Sequence, residues 1–227
     1  MSGGHFAGGA VDDVMVVGVG GQGVIVAAAI IADTAMLHGG LDVKLSETRG
    51  MSQRGGSVSS HIRIGETVIA PSISPGEIDY LLAFEAAEGL RLASSLAPGG
   101  LAVVNTQQIV PPLASIGTHT YPFDAVRRML DRGLRVIAVD GNAVAEEIGD
   151  AKVAGVVLVG ALSAHLPFAD ETWERAIAAD VPPSWLDLNL AAFAAGRRLG
   201  AAGAGGAAAG RDAAAESAQT AEGGTRQ

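Results

Sequence analysis

Two glycine-rich stretches hold the residues whose types and spacing fit chemistry. The first, residues 47–57, reads "ETRGMSQRGGS". Arg49 and Arg54 supply fork-shaped donors suited to phosphate or carboxylate. Gly55 and Gly56 tolerate φ > 0 and offer unshielded N–H groups, a nest for an anion. Gln53 donates or accepts, and Gly50, Met51 and Ser52 complete the loop. Positive charge gathers here in a chain of net charge −9. The second stretch, "GVGGQG" at 18–23, matches G-x-G-x-x-G between an apolar run and a helical pattern. Such glycines allow a tight turn and close approach to a phosphate at a positive helix end. Glu47 lies 24 residues beyond Gly23, near where a ribose-binding acid would stand. A plainer reading stays open for each: the arginines pair with Glu47 or Glu66 in a solvated turn, and the glycines serve only helix–strand packing.

Both stretches need elements to position them. "VMVVGV" at 14–19 reads as a strand buried on both faces, and the run from Gly21 to Leu37 as a helix apolar nearly all round, ended by His38-Gly39-Gly40. "DVKLSE" at 42–47 is a second strand. "SVSSHIRI" alternates, with Val58, Ile62 and Ile64 on one face and Ser59, His61 and Arg63 on the other. Gly65-Glu66 then predicts a tight turn into "TVIA" and a hairpin. Further strands are expected at 78–84, 101–105 and 135–140, separated by helices, with Pro98-Gly99-Gly100 as a stop. From Val153 the pattern is helical. This order predicts an α/β fold: an open, mostly parallel Rossmann-like sheet with a β-hairpin insertion and C-terminal helices. A flexible N-terminus at 1–12, one domain over 13–199 and a disordered Ala/Gly-rich tail over 200–227 are expected.

In such a sheet ligands bind beyond the carboxyl ends of the strands. Four loops meet there. They bring Gly20, Gly21, Gln22 and Gly23 after the first strand and Glu47 with the arginine loop after the second. Glu85 follows the strand at 78–84, and Asn105 closes the strand at 101–105. Glu85 is an acid/base candidate, whereas Glu88 fits a helix start for dipole reasons.

Composition removes whole classes. The acidic balance argues against nucleic acid or an anionic membrane as partner. With no cysteine, this sequence cannot itself hold a disulfide, a thiol nucleophile or a Cys-ligated iron–sulfur cluster. The histidines (His5, His38, His61, His119 and His165) show no metal-ligand spacing, and Ser52 and Ser57 lack a G-x-S-x-G setting. The apolar runs at 24–37 and 153–168 are too short to span a bilayer, so a cytoplasmic protein is expected.

The stretches "GVGGQGVIVAAAIIADTAM", "ETRGMSQRGGSVSSHIRIG", "LLAFEAAEGLR" and "VVN", taken in order, carry a family resemblance. From about Val14 to Gly200 the chain resembles the gamma subunit, or gamma domain, of the 2-oxoacid:ferredoxin oxidoreductases. The "GMSQRGGSV" form is most similar to the beta subunit of indolepyruvate ferredoxin oxidoreductase. It departs from the usual pattern at Arg49, where His is common, and at Ala154-Gly155, where Asn is usual.

The resemblance implies a non-autonomous subunit. Enzymes of this kind decarboxylate a 2-oxoacid with thiamine diphosphate and magnesium. They pass electrons through iron–sulfur clusters to ferredoxin and hand the acyl group to coenzyme A. This sequence has neither a G-D-G segment for magnesium diphosphate nor cysteines. A larger alpha-type subunit must carry both. Arg49 and Arg54 are then candidates for anionic groups of thiamine diphosphate or coenzyme A. The first helix and the helix at 153–167 are candidates to bury extra faces against that subunit. Two competing readings are a stand-alone NAD- or FAD-binding oxidoreductase and a purely structural subunit.

Overall fold

The computed structural model describes residues 11–49, 56–110 and 120–203. Residues 1–10 of the expected flexible start, and the Ala/Gly-rich tail from 204, lie outside them. In chain order the elements are β1 (Val11–Val19), α1 (Val24–His38), β2 (Asp42–Arg49), β3 (Ser57–Gly65), β4 (Ile78–Ala83), α2 (Ala86–Leu92) and β5 (Leu96–Asn105). Then follow α3 (Ala125–Asp131), β6 (Arg135–Val139), α4 (Gly141–Ile148), α5 (Ala154–Ser163), α6 (Asp170–Asp180) and α7 (186–203).

The strands form one six-stranded sheet in the order β2-β3-β1-β4-β5-β6. β3 is antiparallel to both its neighbours, and the β1–β4, β4–β5 and β5–β6 pairs are parallel. The sheet is thus open and mostly parallel, as the sequence predicts. Its period-2 pattern is two-sided. Val14, Val16, Ile62, Leu82 and Val103 face the layer that contains α1 and α5. Met15, Val17, Leu81, Ala83, Ala102 and Val104 face α2 and α3. Side chains such as Ile30, Leu81 and Leu158 are fully buried, each contributing about 1.5–3 kcal/mol. The chain leaves β1 toward one edge of the sheet and leaves β4 toward the other. The topological switch point therefore lies between β1 and β4.

The hairpin partner differs from the expectation. Residues 67–70 form no strand. Both edges of β3 are already paired, with β2 on one side and β1 on the other, so no edge remains for them. The Val68 N–H instead donates to the Asp42 carboxylate at 3.0 Å, and Ile69 is 95 % exposed. The hairpin is β2 and β3, with the arginine–glycine loop at its tip. Pro98-Gly99-Gly100 is likewise no stop. β5 begins at Leu96 and pairs through an irregularity, from Ile78 with Leu96 to Tyr80 with Leu101. A Cβ at Gly100 would stand 2.8 Å from the Ile78 carbonyl oxygen, so the close approach needs glycine.

The apolar helix α5 does not wait for a partner. Residues Val156 to Ser163 are buried within this chain. α7 crosses α5 at backbone contact: a Cβ at Gly160 would meet the Phe193 carbonyl oxygen at 2.2 Å. α1 packs on the sheet and on α6, leaving Val26, Met36 and Leu37 partly exposed.

Candidate functional site

The carboxyl rim at the β1–β4 switch point is built around the glycine turn. Gly21 and Gly23 have φ of 99° and 88°, the left-handed region that L side chains rarely adopt. Gly23 starts α1. The Gly20 N–H donates to the Gly56 carbonyl at 2.9 Å. The root of the arginine loop is therefore tied directly to the glycine turn, as the topology expected of one rim requires. Arg49 ends β2 opposite Val58, and Val19 ends β1 opposite Ser57. Gly50, Met51, Ser52, Gln53, Arg54 and Gly55 lie outside the described residues, as does the Arg49 side chain.

Gln22 has an internal task. Its Oε1 accepts from the Val19 N–H at 2.7 Å. Its Nε2 donates to the Phe84 carbonyl at 3.0 Å and to the Gln107 Oε1 at 2.8 Å. Asn105, 2 % exposed, mirrors it from the neighbouring loop. Its Oδ1 accepts from the Gly141 N–H at 3.1 Å, while Nδ2 donates to the same Phe84 carbonyl and to the Asn142 Oδ1, at 3.2 and 2.9 Å. The two amides lock the ends of β1, β4 and β5 to one carbonyl. Phe84 packs under Gly155 at the start of α5, where a Cβ would come within 2.9 Å of the ring. Above this floor opens a cleft of about 370 Å³, lined in part by Gly21, Gln22, Gly23, Asn105, Gln107, Asn142 and Lys152. Sequence reading did not single out Gln107, Asn142 or Lys152. No local pattern marks them; only the convergence of loops brings them together.

Two glutamates stand at the start of α2. Glu85, an acid/base candidate by sequence, is 1 % exposed and caps α2. One oxygen accepts from the Glu88 N–H at 2.9 Å; the other accepts from the Ile109 N–H and the Tyr121 hydroxyl. Burial and this carboxylate push the Tyr121 hydroxyl pKa up, so the phenol stays protonated. Glu85 fastens two loops to a helix start. Glu88 does more than favour a helix dipole. It accepts from the Ser57 hydroxyl at 2.6 Å and from Arg91 at 2.7 Å, and Arg91 also donates to the Ser57 Oγ at 2.9 Å. This cluster clamps the exit of the arginine loop to α2.

Glu47 does not meet the glycine turn as a ribose acid would. β3 lies between β2 and β1, which separates the strand carrying Glu47 from β1 by two strand spacings, roughly 10 Å. In a dinucleotide fold the acid-bearing strand adjoins the glycine-bearing one. The antiparallel insertion removes that adjacency, and with it the geometric basis of a stand-alone NAD or FAD site.

Comparison with known proteins agrees with this architecture. Residues 13–199 match the model of the family described as pyruvate ferredoxin/flavodoxin oxidoreductase. The chain belongs to that family. Indolepyruvate oxidoreductase subunit IorB of Archaeoglobus fulgidus is 43% identical over 188 residues, which is 81% of this chain and 92% of that one. The IorB subunit of Thermococcus kodakarensis is 38% identical, over 81% of this chain and 93% of its own. Among solved structures, the gamma subunit of a keto/oxoacid ferredoxin oxidoreductase from Geobacter sulfurreducens is 26% identical. It aligns with a TM-score of 0.63 over 84% of this chain and 99% of that subunit. Among the described residues no group of three His, Asp or Glu side chains could hold a metal ion, and no helix is long and apolar enough to cross a membrane.

Proposed function

We propose that this chain is a non-autonomous subunit of a cytoplasmic 2-oxoacid:ferredoxin oxidoreductase that depends on thiamine diphosphate and iron–sulfur clusters. Its substrate is an aryl-pyruvate such as indolepyruvate, converted by oxidative decarboxylation to the acyl-CoA. Family membership together with the tie between the glycine turn and the loop root carries this reading. The near full-length similarity to indolepyruvate oxidoreductase subunits supports the aryl-pyruvate.

Thiamine diphosphate supplies the site at which a 2-oxoacid is decarboxylated when bound. Among the described residues no three His, Asp or Glu side chains gather for a metal ion, and the sequence has no cysteine for clusters. Magnesium, the diphosphate and the clusters belong to the larger alpha-type partner, with ferredoxin as acceptor of the assembled enzyme. This chain's share is positioning. The Gly20–Gly56 bond and the Ser57–Glu88–Arg91 cluster aim the loop that carries Arg49 and Arg54. Those guanidinium groups meet the anionic part of a cofactor or substrate presented by the partner. Arg54→Ala in the assembled complex tests this. Turnover falls at least about tenfold, the loss expected from removing a charge-assisted bond, while assembly is intact. Unchanged turnover would reduce the chain to a purely structural subunit.

A further inference from the structure

The two amide relays under the cleft fix more than backbone. An amide's oxygen and nitrogen can exchange places by a half-turn, so orientation must be argued from partners. Here each relay starts on a backbone N–H, which needs an oxygen. The Val19 N–H demands the Gln22 oxygen. The Gln22 nitrogen then faces the Phe84 carbonyl and the Gln107 side chain, so Gln107 must present its oxygen inward. On the other side the Gly141 N–H demands the Asn105 oxygen. The Asn105 nitrogen faces the same carbonyl and Asn142, whose oxygen must also turn inward. Reversing either terminal amide would set two NH₂ groups against each other.

The consequence is at the mouth. Gln107 and Asn142 both line the cleft, and their inward atoms are oxygens. With each oxygen turned inward, the remaining polar group of each of these side chains is an NH₂. Lys152 lines the same space, while its ammonium rests 5.1 Å from the centre of the ring of Trp185, which stands outside the lining. Among the described residues no aspartate or glutamate lines the cleft. Asp150, two residues before Lys152, has its carboxylate on the Lys152 backbone N–H at 2.8 Å. Among the described lining residues the charged one is thus a cation, beside two amides whose oxygens are already taken, in a protein of net charge −9.

We infer that this cleft is an oxyanion site: Gln107, Asn142 and Lys152 take a phosphate or carboxylate group of a small ligand. The volume of about 370 Å³ suits a small metabolite or one end of a larger one. Two amide NH₂ groups and an ammonium match an acceptor-only group. The preference is set by the relays and holds whether or not the chain serves a 2-oxoacid oxidoreductase.

The test is titration of the full chain, labelled with ¹⁵N, with inorganic pyrophosphate, pyruvate and, as a neutral control, acetamide. The side-chain NH₂ signals of Gln107 and Asn142 shift saturably with at least one anion and not with acetamide. Response to pyrophosphate alone identifies a phosphate site, and response to pyruvate alone a carboxylate site. Gln107→Glu keeps an oxygen for the Gln22 donor but replaces the outward NH₂ by an anionic oxygen. It weakens the anion at least about tenfold without lowering the thermal midpoint by more than a few degrees. Lys152→Met weakens it as well. Should neither anion bind saturably, or should Gln107→Glu bind as tightly as the parent, the oxyanion site is overturned. The reaction proposed above would be untouched by that result. Conversely, anion binding by a chain that fails to support 2-oxoacid oxidation with its partner would remove the reaction and leave the site.

Discussion

The two ends of the sheet treat polar groups in opposite ways. At the amino end, Arg63 of β3 forms a two-pronged ion pair with Asp13 of β1 at 2.7 and 3.0 Å. It also donates to the carbonyls of Ala70 and Ser72 at 3.4 and 3.2 Å. Asp13 is 4 % exposed, and its backbone N–H is taken by Asp79. Burial pushes the Asp13 carboxyl up against the opposing pull of Arg63. The Tyr80 hydroxyl donates to the His165 carbonyl, and burial raises its pKa to about 12. Charge there is consumed in fixed pairs that tie strands together. Beneath the cleft at the carboxyl rim the polar groups are neutral amides: Gln22 and Asn105 hold backbone groups, and Gln107 and Asn142 accept from them and keep their own NH₂ groups on the far side. What separates a structural polar cluster from a ligand site here is unused hydrogen-bonding capacity, not charge.

Removing one member of the Asp13–Arg63 pair should have the largest effect. Asp13→Ala leaves a largely buried guanidinium without its carboxylate and costs about 3 kcal/mol, read by urea unfolding, while anion binding at the rim is unchanged. A loss below about 1 kcal/mol would mean the amino end is not held by this pair. Gln22→Leu comes next and acts on both properties. It strands the Val19 N–H and leaves the Phe84 carbonyl with the Asn105 donor alone, costing about 2 kcal/mol, and it frees Gln107 to rotate, so anion affinity falls with stability. A loss of stability without loss of affinity would break the relay argument.

Smaller still is Glu88→Gln. Arg91 is half exposed and solvent screens the pair, so stability drops by less than about 1 kcal/mol. The informative readout is turnover of the complex, which should fall because the exit of the arginine loop is released.

The smallest effect is on pH. Burial lowers the pKa of His61, whose Nδ1 accepts from the Ile73 N–H at 3.2 Å. The unfolded chain then binds the proton more readily than the folded one. Stability from His61 is present above the unfolded value near 6.5 and is lost as pH falls below it. His165, also lowered by burial, acts in the same direction. The urea midpoint should drop between pH 7.5 and 5.5, and His61→Gln should flatten part of that slope. An unchanged slope in the variant would place the titration elsewhere.

Much of this was legible in residue order. Strand-like runs alternating with helices give the parallel sheet, and strand ends give the rim with Gly20 to Gly23 and Asn105. Three features were not. "TVIA" at 67–70 has strand composition, but pairing depends on a free edge, and β1 and β2 occupy both edges of β3. The separation of Glu47 from the glycine turn follows from strand order, which sequence spacing does not encode. Gln107 follows β5, Asn142 lies in the first turn of α4 and Lys152 just beyond it, and they acquire a common role only where these segments converge. A carboxylate before a helix reads alike in sequence whether it caps or catalyses, and the structure adds the capping bond of Glu85.

The most direct measurement is reduction of ferredoxin that depends on both indolepyruvate and coenzyme A. It should be assayed with this chain alone, with a thiamine- and cluster-bearing partner alone, and with the two combined. Turnover is predicted only for the combination. Turnover by the isolated chain, or a partner fully active without it, would contradict the account.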